Sequence, residues 1–452
     1  MTMDREKLIN LLFKKGKEHN IEEMEVYINK NSSTDFNIYE GSLEKYTVAR
    51  EENLSLRGIY NGRMGYSYTE KLMEDSLDEL INNLIQYAEN NHNNEIEKIS
   101  SPAGESKDLV KQENLLSKYT EKEKIEYLLN LEKKAYALDK RVKTIDGCGY
   151  QEKTEEVYIR NTRGLELEDS HTIGIIGLSA VTEEGNNMQT GHSHIVFKEL
   201  LEEYEDSLIK DGVGDAVAML GAESIESGNY EVILRNNVAA DMFSNFSPIF
   251  LGSTVQKNLS LLKGKIGENV AVDSLNIVEN PLMEDGRYCR TFDDEGTPTY
   301  LKYIIEEGIL KTFLHNNKTA EKDGIRSTGN GFRASHKSSI GVMSTNMYIE
   351  EGDKSLDDMI KSMDKGIIIT DIHGLHAGIN PTSGDFSLSS NGLLVENGKV
   401  VRPLAQITMA GNLYSMLKNI KYIGNDTKFS HPSSSFFGSP SIYIGSLTIS
   451  GR

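Results

Sequence analysis

Apolar positions recur along this chain with two different periods. Leu77, Leu80, Ile81, Leu84, Ile85 and Ala88 follow i, i+3, i+4, i+7, i+8 spacing, which lays them on one stripe of a helix expected over about 70–88. A second helix starts at Thr120, whose hydroxyl can accept from the free amides of the first turn while Glu123 reaches back, and it carries Ile125, Leu128, Leu129 and Ala135 inward. Between the two, residues 89–117 are mostly polar and charged, with Ser100-Ser101-Pro102-Ala103-Gly104 in the middle, and read as an exposed linker.

The N-terminal half contains one plan twice. A helix (4–19), strands (23–68) and the 70–88 helix are followed by a helix (120–137), strands (141–197) and a helix within 204–223. Glu25-Val26-Tyr27-Ile28 and Glu156-Val157-Tyr158-Ile159 read as matching places in the two units. Ser227-Gly228-Asn229 marks a boundary, followed by a strand at 230–234 and a helix at 238–250 ending near Gly252. From there the pattern is mostly β. Segments 300–305 and 309–315 flank Glu306-Glu307-Gly308, and 393–396 and 399–404 flank Asn397-Gly398, a pair that readily takes the positive φ angles of a tight hairpin. One helix at 356–363 interrupts the strands, and a Ser- and Pro-rich loop at 426–441 precedes a last strand at 442–447. The expected fold class is α+β, with two domains. Residues 1–226 form a duplicated helix-strands-helix part with its linker at about 89–117, and residues 227–452 form a β-rich part.

Composition narrows the function. The 452 residues carry 49 Lys and Arg against 69 Asp and Glu, a net charge of −20. A surface that grips phosphates needs the opposite sign, so direct nucleic-acid binding is not expected. An apolar content of 38% is enough to bury real cores. The N-terminal residues do not form a secretory signal, and no segment reaches the ~20 apolar residues that span a bilayer, so a soluble cytoplasmic protein is expected. Two cysteines, Cys148 and Cys289, build neither a disulfide framework nor a four-thiolate metal site, and a buried, inert thiol is the expectation for both.

The familiar catalytic patterns are missing. There is no phosphate loop ending in Gly-Lys-Ser/Thr, no G-x-G-x-x-G between strand and helix, and no Gly-x-Ser-x-Gly elbow. None of the ten histidines is followed by Glu, which removes the His-Glu-x-x-His arrangement of zinc peptidases. Two histidine pairs remain. His192 and His194, two apart in a strand, point to one face and suit either a metal or plain surface hydrogen bonding. His373 and His376, with Asp385 further along a glycine-rich loop, suit either a three-ligand site or ordinary loop polarity. The acidic run Asp293-Asp294-Glu295-Gly296 reads as a solvated turn opening a hairpin, with catalytic carboxylates or a cation site as the other reading.

A larger pattern lies in the C-terminal half. Phe292-Asp293-Asp294-Glu295-Gly296, Glu306-Glu307-Gly308-Ile309-Leu310-Lys311-Thr312-Phe313-Leu314 and Ser327-Thr328-Gly329-Asn330-Gly331 come first. Asn380-Pro381-Thr382-Ser383-Gly384-Asp385-Phe386-Ser387, Val395-Glu396-Asn397-Gly398, Ala410-Gly411-Asn412-Leu413 and Gly424-Asn425-Asp426 follow in order. As a set they resemble the TldD/PmbA family, once called modulators of DNA gyrase. Leu56-Arg57-Gly58-Ile59-Tyr60-Asn61-Gly62-Arg63-Met64-Gly65 is similar to a weaker signature of the same family, so the resemblance runs over nearly the whole chain.

The resemblance implies a cytoplasmic metallopeptidase of paired subunits that cleaves unfolded or small peptides and processes certain peptide antibiotics. Its TldD-like subunit holds zinc with a His-Glu-x-x-x-His helix and a cysteine near the C-terminus. Here the corresponding helix runs Val238-Ala239-Ala240-Asp241-Met242-Phe243, and the C-terminal loop offers Ser433-Ser434-Ser435-Phe436-Phe437-Gly438 without cysteine. Those departures are similar to the PmbA, or TldE, branch, the partner without a zinc site. The resemblance thus implies no catalytic residue and no cofactor in this chain, zinc in a TldD-like partner, a peptide as substrate, and leaves a homodimer open. A subunit without metal can still enclose an extended peptide through main-chain hydrogen bonds. Ser327, Thr328, Gly329 and Asn330, with Pro381, Gly384 and Asp385, are the candidates for lining that space, the other reading of both loops being glycine-dependent turn geometry. Two alternatives stand beside this reading. One is an autonomous metallohydrolase using His373, His376 and Asp385, and the other a non-enzymatic acidic modulator of DNA gyrase.

Overall fold

A computed structural model describes residues 4–91, 97–102, 113–284, 286–432 and 436–452. The N-terminal half is built on six antiparallel strands, β1 (Glu23–Tyr39), β2 (Ser42–Tyr60), β3 (Arg63–Thr69), β4 (Val142–Asn161), β5 (Glu166–Glu184) and β6 (Asn187–Phe197), in the order β3-β2-β1-β4-β5-β6. Helices α1 (Arg5–Glu18) and α2 (Leu77–Asn90) belong to the first three strands. Helix α3 (Glu121–Leu138) and the broken helical segment 203–218 belong to the other three. The duplication of element order is therefore real, and its seam is the β1–β4 pair.

One detail of that duplication is corrected. Glu25, Val26, Tyr27 and Ile28 lie near the start of β1, whereas Glu156, Val157, Tyr158 and Ile159 lie near the end of β4. They face one another across the seam, with Glu25 opposite Asn161 and Ile28 opposite Tyr158. Their likeness is that of neighbouring strands in one sheet rather than of equivalent positions in a repeat.

Local chemistry accounts for the helices. Thr120 accepts from the Glu123 amide and Glu123 accepts from the Thr120 amide, so the capping box forms as the spacing predicts. In α2 the stripe Leu77, Leu80, Ile81, Leu84 and Ala88 is buried against α1 and the first-unit strands, and the regular helix begins only at Leu77, after a single tight turn at Glu74–Ser76. Phe36, Ile38, Cys148, Tyr150, Ile176, Leu178 and Ala180 point the other unit's apolar face at α3 and 203–218. The opposite face of those strands carries small and polar groups. Of the expected linker, 92–96 and 103–112 lie outside the described residues; in the rest, Ile99 and Leu116 are buried and Ser100 accepts from Asn161 and Asn317.

In the C-terminal half, strands Gly228–Leu234, Lys365–His373, Asp385–Glu396, Lys399–Asn412 and Ile442–Ser450 close into a barrel, because the Lys399–Asn412 strand pairs with both Asp385–Glu396 and Ile442–Ser450. Val232, Leu234, Ile367, Ile369, Met409, Ile442 and Ile444 share a core with the Asn236–Phe246 helix, while the intervening Ile233, Ile368 and Tyr443 pack outward against Met359 and Met363. The Asn397-Gly398 turn forms with both φ angles positive, 52° and 72°, as a two-residue hairpin requires. Six short strands, Ile277–Glu279, Lys302–Glu306, Ile309–Leu310, Met347–Ile349, Lys428–Phe429 and Phe437–Ser439, make a further sheet.

Where the N-terminal sheet meets the C-terminal half, the acidic run overturns its expectation. Asp293, Asp294 and Glu295 are buried rather than solvated. Arg57, 1% exposed, donates through Nε to Glu25 at 2.7 Å and lies 3.8 Å from Glu295. Arg290 donates to Asp294 at 2.8 Å, and Asp293 accepts the amides of Glu295, Thr297 and Gly331. Burial, with Glu295 alongside, holds the Asp293 carboxyl well above the usual carboxylate range.

Candidate functional site

A cleft of about 840 Å³ combines polar groups from both halves. Its floor is the small-residue face of the second unit. Asn37 on β1, Gly149 on β4, Gly177 on β5 and His194 on β6 stand side by side in register across four strands. Because two of the four have no side chain, the sheet dips between Asn37 and His194. A Cβ placed on Gly177 would have Ser193 O, 3.9 Å away, as its nearest neighbour, so a side chain there would stand in the cleft.

The roof is the start of the Asn236–Phe246 helix, with Asp371 from the neighbouring barrel strand and Lys428 and His431 from the C-terminal region. Val238, Ala239, Met242, Phe243 and Phe246 hold the helix in the core, which leaves Asn237 and Asp241, four apart, lining the cleft. Arg235 fixes the entry to the helix. Its guanidinium grips both oxygens of Asp215 at 2.7 and 2.5 Å and also donates to Thr370 O and Asn237 Oδ1.

The charges here are of two kinds. Lys428 is paired with Asp211 at 2.7 Å, and Asp371 accepts the Ile372 amide and lies 3.1 Å from His373 Nε2. Asp241 has no hydrogen-bond or ion-pair partner for its carboxyl among the described residues. Burial, with Asp371 nearby, pushes it up to about 6. Half-buried His194 places Nε2 3.2 Å from Phe429 O, and its ring meets His431 edge-on with centroids 5.3 Å apart. Burial, helped by Lys428 and His431, draws it down to about 4. At neutral pH the cleft thus holds a neutral imidazole and a carboxylate close to its titration point.

The histidine spacing on β6 behaves as expected, since His192 and His194 both line the cleft. They do not acquire further ligands: among the described residues, no three His, Cys, Asp or Glu side chains come close enough to hold a metal ion. The second set fares no better. His373 is exposed beside Asp371, His376 is exposed in the Leu375–Gly378 turn, and exposed Asp385 accepts from Asn412 Nδ2 at 2.8 Å, so the three are not gathered around one point. The three-ligand site of the metallohydrolase alternative is therefore not assembled among the described residues, and the family resemblance implies zinc only in a TldD-like partner. Ser433, Ser434 and Ser435, the place for a ligating cysteine, lie outside the described residues.

The two loops proposed to line a peptide space do not line this cleft. Ser327 borders a different cleft of about 640 Å³, while Thr328, Gly329 and Asn330 are buried. Thr328 donates to Asn330, which donates to Glu279 and accepts from Lys302, so these side chains spend their polarity on one another. Gly329 has φ +71° and its Cβ would come within 2.6 Å of Pro298 O. Pro381 O accepts from Tyr414, Gly384 has φ +82° against the Tyr414 ring, and Asp385 faces solvent. Of the two cysteines, Cys148 is buried and its thiol is pushed up to about 12 by that burial, while Cys289 is half-buried.

Sequence reasoning missed Arg235, Asp371, Lys428 and the glycine floor, and gave Asn237 and Asp241 no role. The one local signal was Gly147-Cys148-Gly149 inside an expected strand, where alternate glycines mark a bare strip of sheet.

Three family profiles match in sequence order: PmbA/TldA metallopeptidase domain 1 over residues 24–88, the central domain over 114–221 and the C-terminal domain over 227–451. A crystal structure of a Thermotoga maritima protein described as a modulator of a DNA gyrase is similar at 30% identity and a TM-score of 0.89, covering 99% of this chain and all of that one. TldE from Thermococcus kodakarensis shares the fold at a TM-score of 0.89 and 22% identity, over 98% of this chain and all of that one. The metalloprotease PmbA of Escherichia coli O157:H7 is 27% identical over 67% of this chain and 65% of its own length.

Proposed function

The chain belongs to the PmbA/TldD metallopeptidase family, and from that premise we propose that it is the subunit that holds peptide without holding the metal. In this reading a TldD-like zinc-binding chain completes the enzyme, and the pair degrades or processes unfolded or small peptides in the cytoplasm. The observation that supports it is the cleft. Its helix presents Asn237 and Asp241, and no imidazole, to the cleft, and its floor is a glycine-lined strip opened to both walls.

An extended peptide needs partners for its main-chain N–H and C=O groups more than it needs particular side chains. His192 offers a ring nitrogen along the strip and Asn37 and Ser179 offer their oxygens as acceptors, while Asn237 on the roof is held by Arg235 and Thr370 O and has one N–H left to offer. Gly149 and Gly177 let the peptide backbone approach the sheet closely, and Asp241 and Asp371 favour a substrate positive at that point, such as an α-ammonium group or a lysine. The reaction's water activation belongs to the partner's metal.

Co-expression with a TldD-like chain tests this directly. The expected result is a stable complex, seen by size exclusion with light scattering, that cleaves an unstructured peptide while neither chain does so alone. A chain that stays alone or pairs only with itself when that partner is present contradicts the reading.

A further inference from the structure

Adjoining the buried acidic run, side chains from separate segments meet away from water. Glu279 ends the strand Ile277–Glu279, Lys302 stands directly opposite it at the start of the strand Lys302–Glu306, and Asn330 comes from the turn before Gly331. Glu279 and Asn330 are 0% exposed and Lys302 is 5% exposed. Asn330 Nδ2 donates to Glu279 Oε1 at 3.1 Å and to Met343 O at 3.0 Å, which turns Oδ1 toward Lys302 Nζ, 3.2 Å away.

Both ionisable members of this group are poorly served as ions. An ammonium carries three N–H donors, yet among the described residues Nζ has Asn330 Oδ1 as its one hydrogen-bond acceptor, the Tyr300 ring 4.6 Å off, and no carboxylate within ion-pair distance. Glu279 Oε1 accepts from the Thr345 amide and hydroxyl as well as from Asn330, but its Oε2 is buried without a partner. Burial draws Lys302 down to about 8, although Glu279 and Asp293 pull the other way. The same burial holds Glu279 above the usual carboxylate range despite Lys302 and Thr345. About a tenth of the amine is then unprotonated at neutral pH, while a proton on the Glu279 carboxyl is favoured. An amine beside an amide, with a protonated carboxyl at the amide nitrogen, has the parts of an acyl transfer within the chain.

We propose that Lys302 and Asn330 become joined by an isopeptide bond. The Nζ lone pair forms a bond to Asn330 Cγ, and the Cγ–Nδ2 bond breaks. Glu279 gives its proton to the departing nitrogen and takes one from Nζ, so the carboxyl ends as it began and ammonia leaves. Nothing is oxidised or reduced. The charge that develops on Oδ1 meets the Thr328 hydroxyl at 2.8 Å, which turns to it from its other acceptor, His315 O. The bond ties the strand Lys302–Glu306 to the turn whose Gly331 amide donates to Asp293. It concerns this chain alone and does not rest on the peptidase reading.

Intact-mass spectrometry of the purified full chain, incubated in neutral buffer and then denatured, tests the proposal. The expected mass lies about 17 Da, one ammonia, below that of the sequence. A succinimide at Asn330-Gly331 loses the same mass, so a tryptic digest decides between the two. Residues 291–311 and 327–333 should appear as one branched peptide, uncut after Lys302. Lys302→Arg and Glu279→Gln should each keep their own full sequence mass. A wild-type chain at full mass, a loss of mass without the branched peptide, or a branched peptide formed equally in Glu279→Gln overturns the proposal. The wild-type measurement stands by itself, so a variant that does not fold leaves the test intact.

Discussion

Two regions of this molecule are crowded with charge, and they differ in how that charge is neutralised. At the seam between the halves, Arg57, Glu25, Glu295, Arg290 and Asp294 are all buried and paired within the protein. In the cleft, Arg235 and Lys428 are paired with Asp215 and Asp211, but Asp241 faces open space with no partner among the described residues. Charge density alone therefore does not mark a site. What distinguishes the cleft is an unpaired acid at the border of solvent, set above a floor from which side chains have been removed.

The contrast can be broken at its strongest point first. Arg57→Leu should cost about 3–5 kcal/mol, read as a lower denaturation midpoint, because it strands Glu25 and Glu295 in a buried setting. Lys428→Leu in the cleft should cost under about 1 kcal/mol, since its pair with Asp211 is partly exposed. Similar losses from both would erase the distinction.

A smaller effect sharpens it from the other side. Asp241 is raised to about 6 by burial and by Asp371, so the folded state holds that proton more tightly than the unfolded chain does. Stability is then lost as pH climbs from about 4 to about 6, and the loss persists above. Asp241→Asn removes it. The variant should be more stable than the wild type above pH 6, by at most about 3 kcal/mol, and no more stable at pH 4. Denaturation curves at the two pH values check this, and a gain that is the same at both would show that desolvation is not the cause.

Much of the fold was legible because its signals are local. The α2 stripe, the Thr120 capping box and the Asn397-Gly398 turn each act within a few residues, and each formed. The acidic run was misread for the opposite reason: its partners Arg57 and Gly331 come from other segments, and a triplet of acids looks solvated until they are in place. The cleft was hidden in the same way. Its residues come from β1, β4, β5, β6, the Asn236–Phe246 helix, a barrel strand and the 428–431 segment, and only the His192 and His194 pair carried a spacing that showed. The loops at 327–331 and 380–387 stood out in sequence for their glycines and asparagines. Those residues serve turns and buried hydrogen bonds.

The central claim is that the cleft binds peptide and takes no part in metal chemistry. Gly177→Val in the assembled complex tests it most directly, because a Cβ there has only Ser193 O, at 3.9 Å, as a near neighbour and the side chain fills the floor. The expected result is a KM raised by about tenfold or more, with kcat within about twofold of the wild type and the metal content of the complex unchanged. A kcat that collapses at constant KM, or loss of metal from the complex, would contradict it.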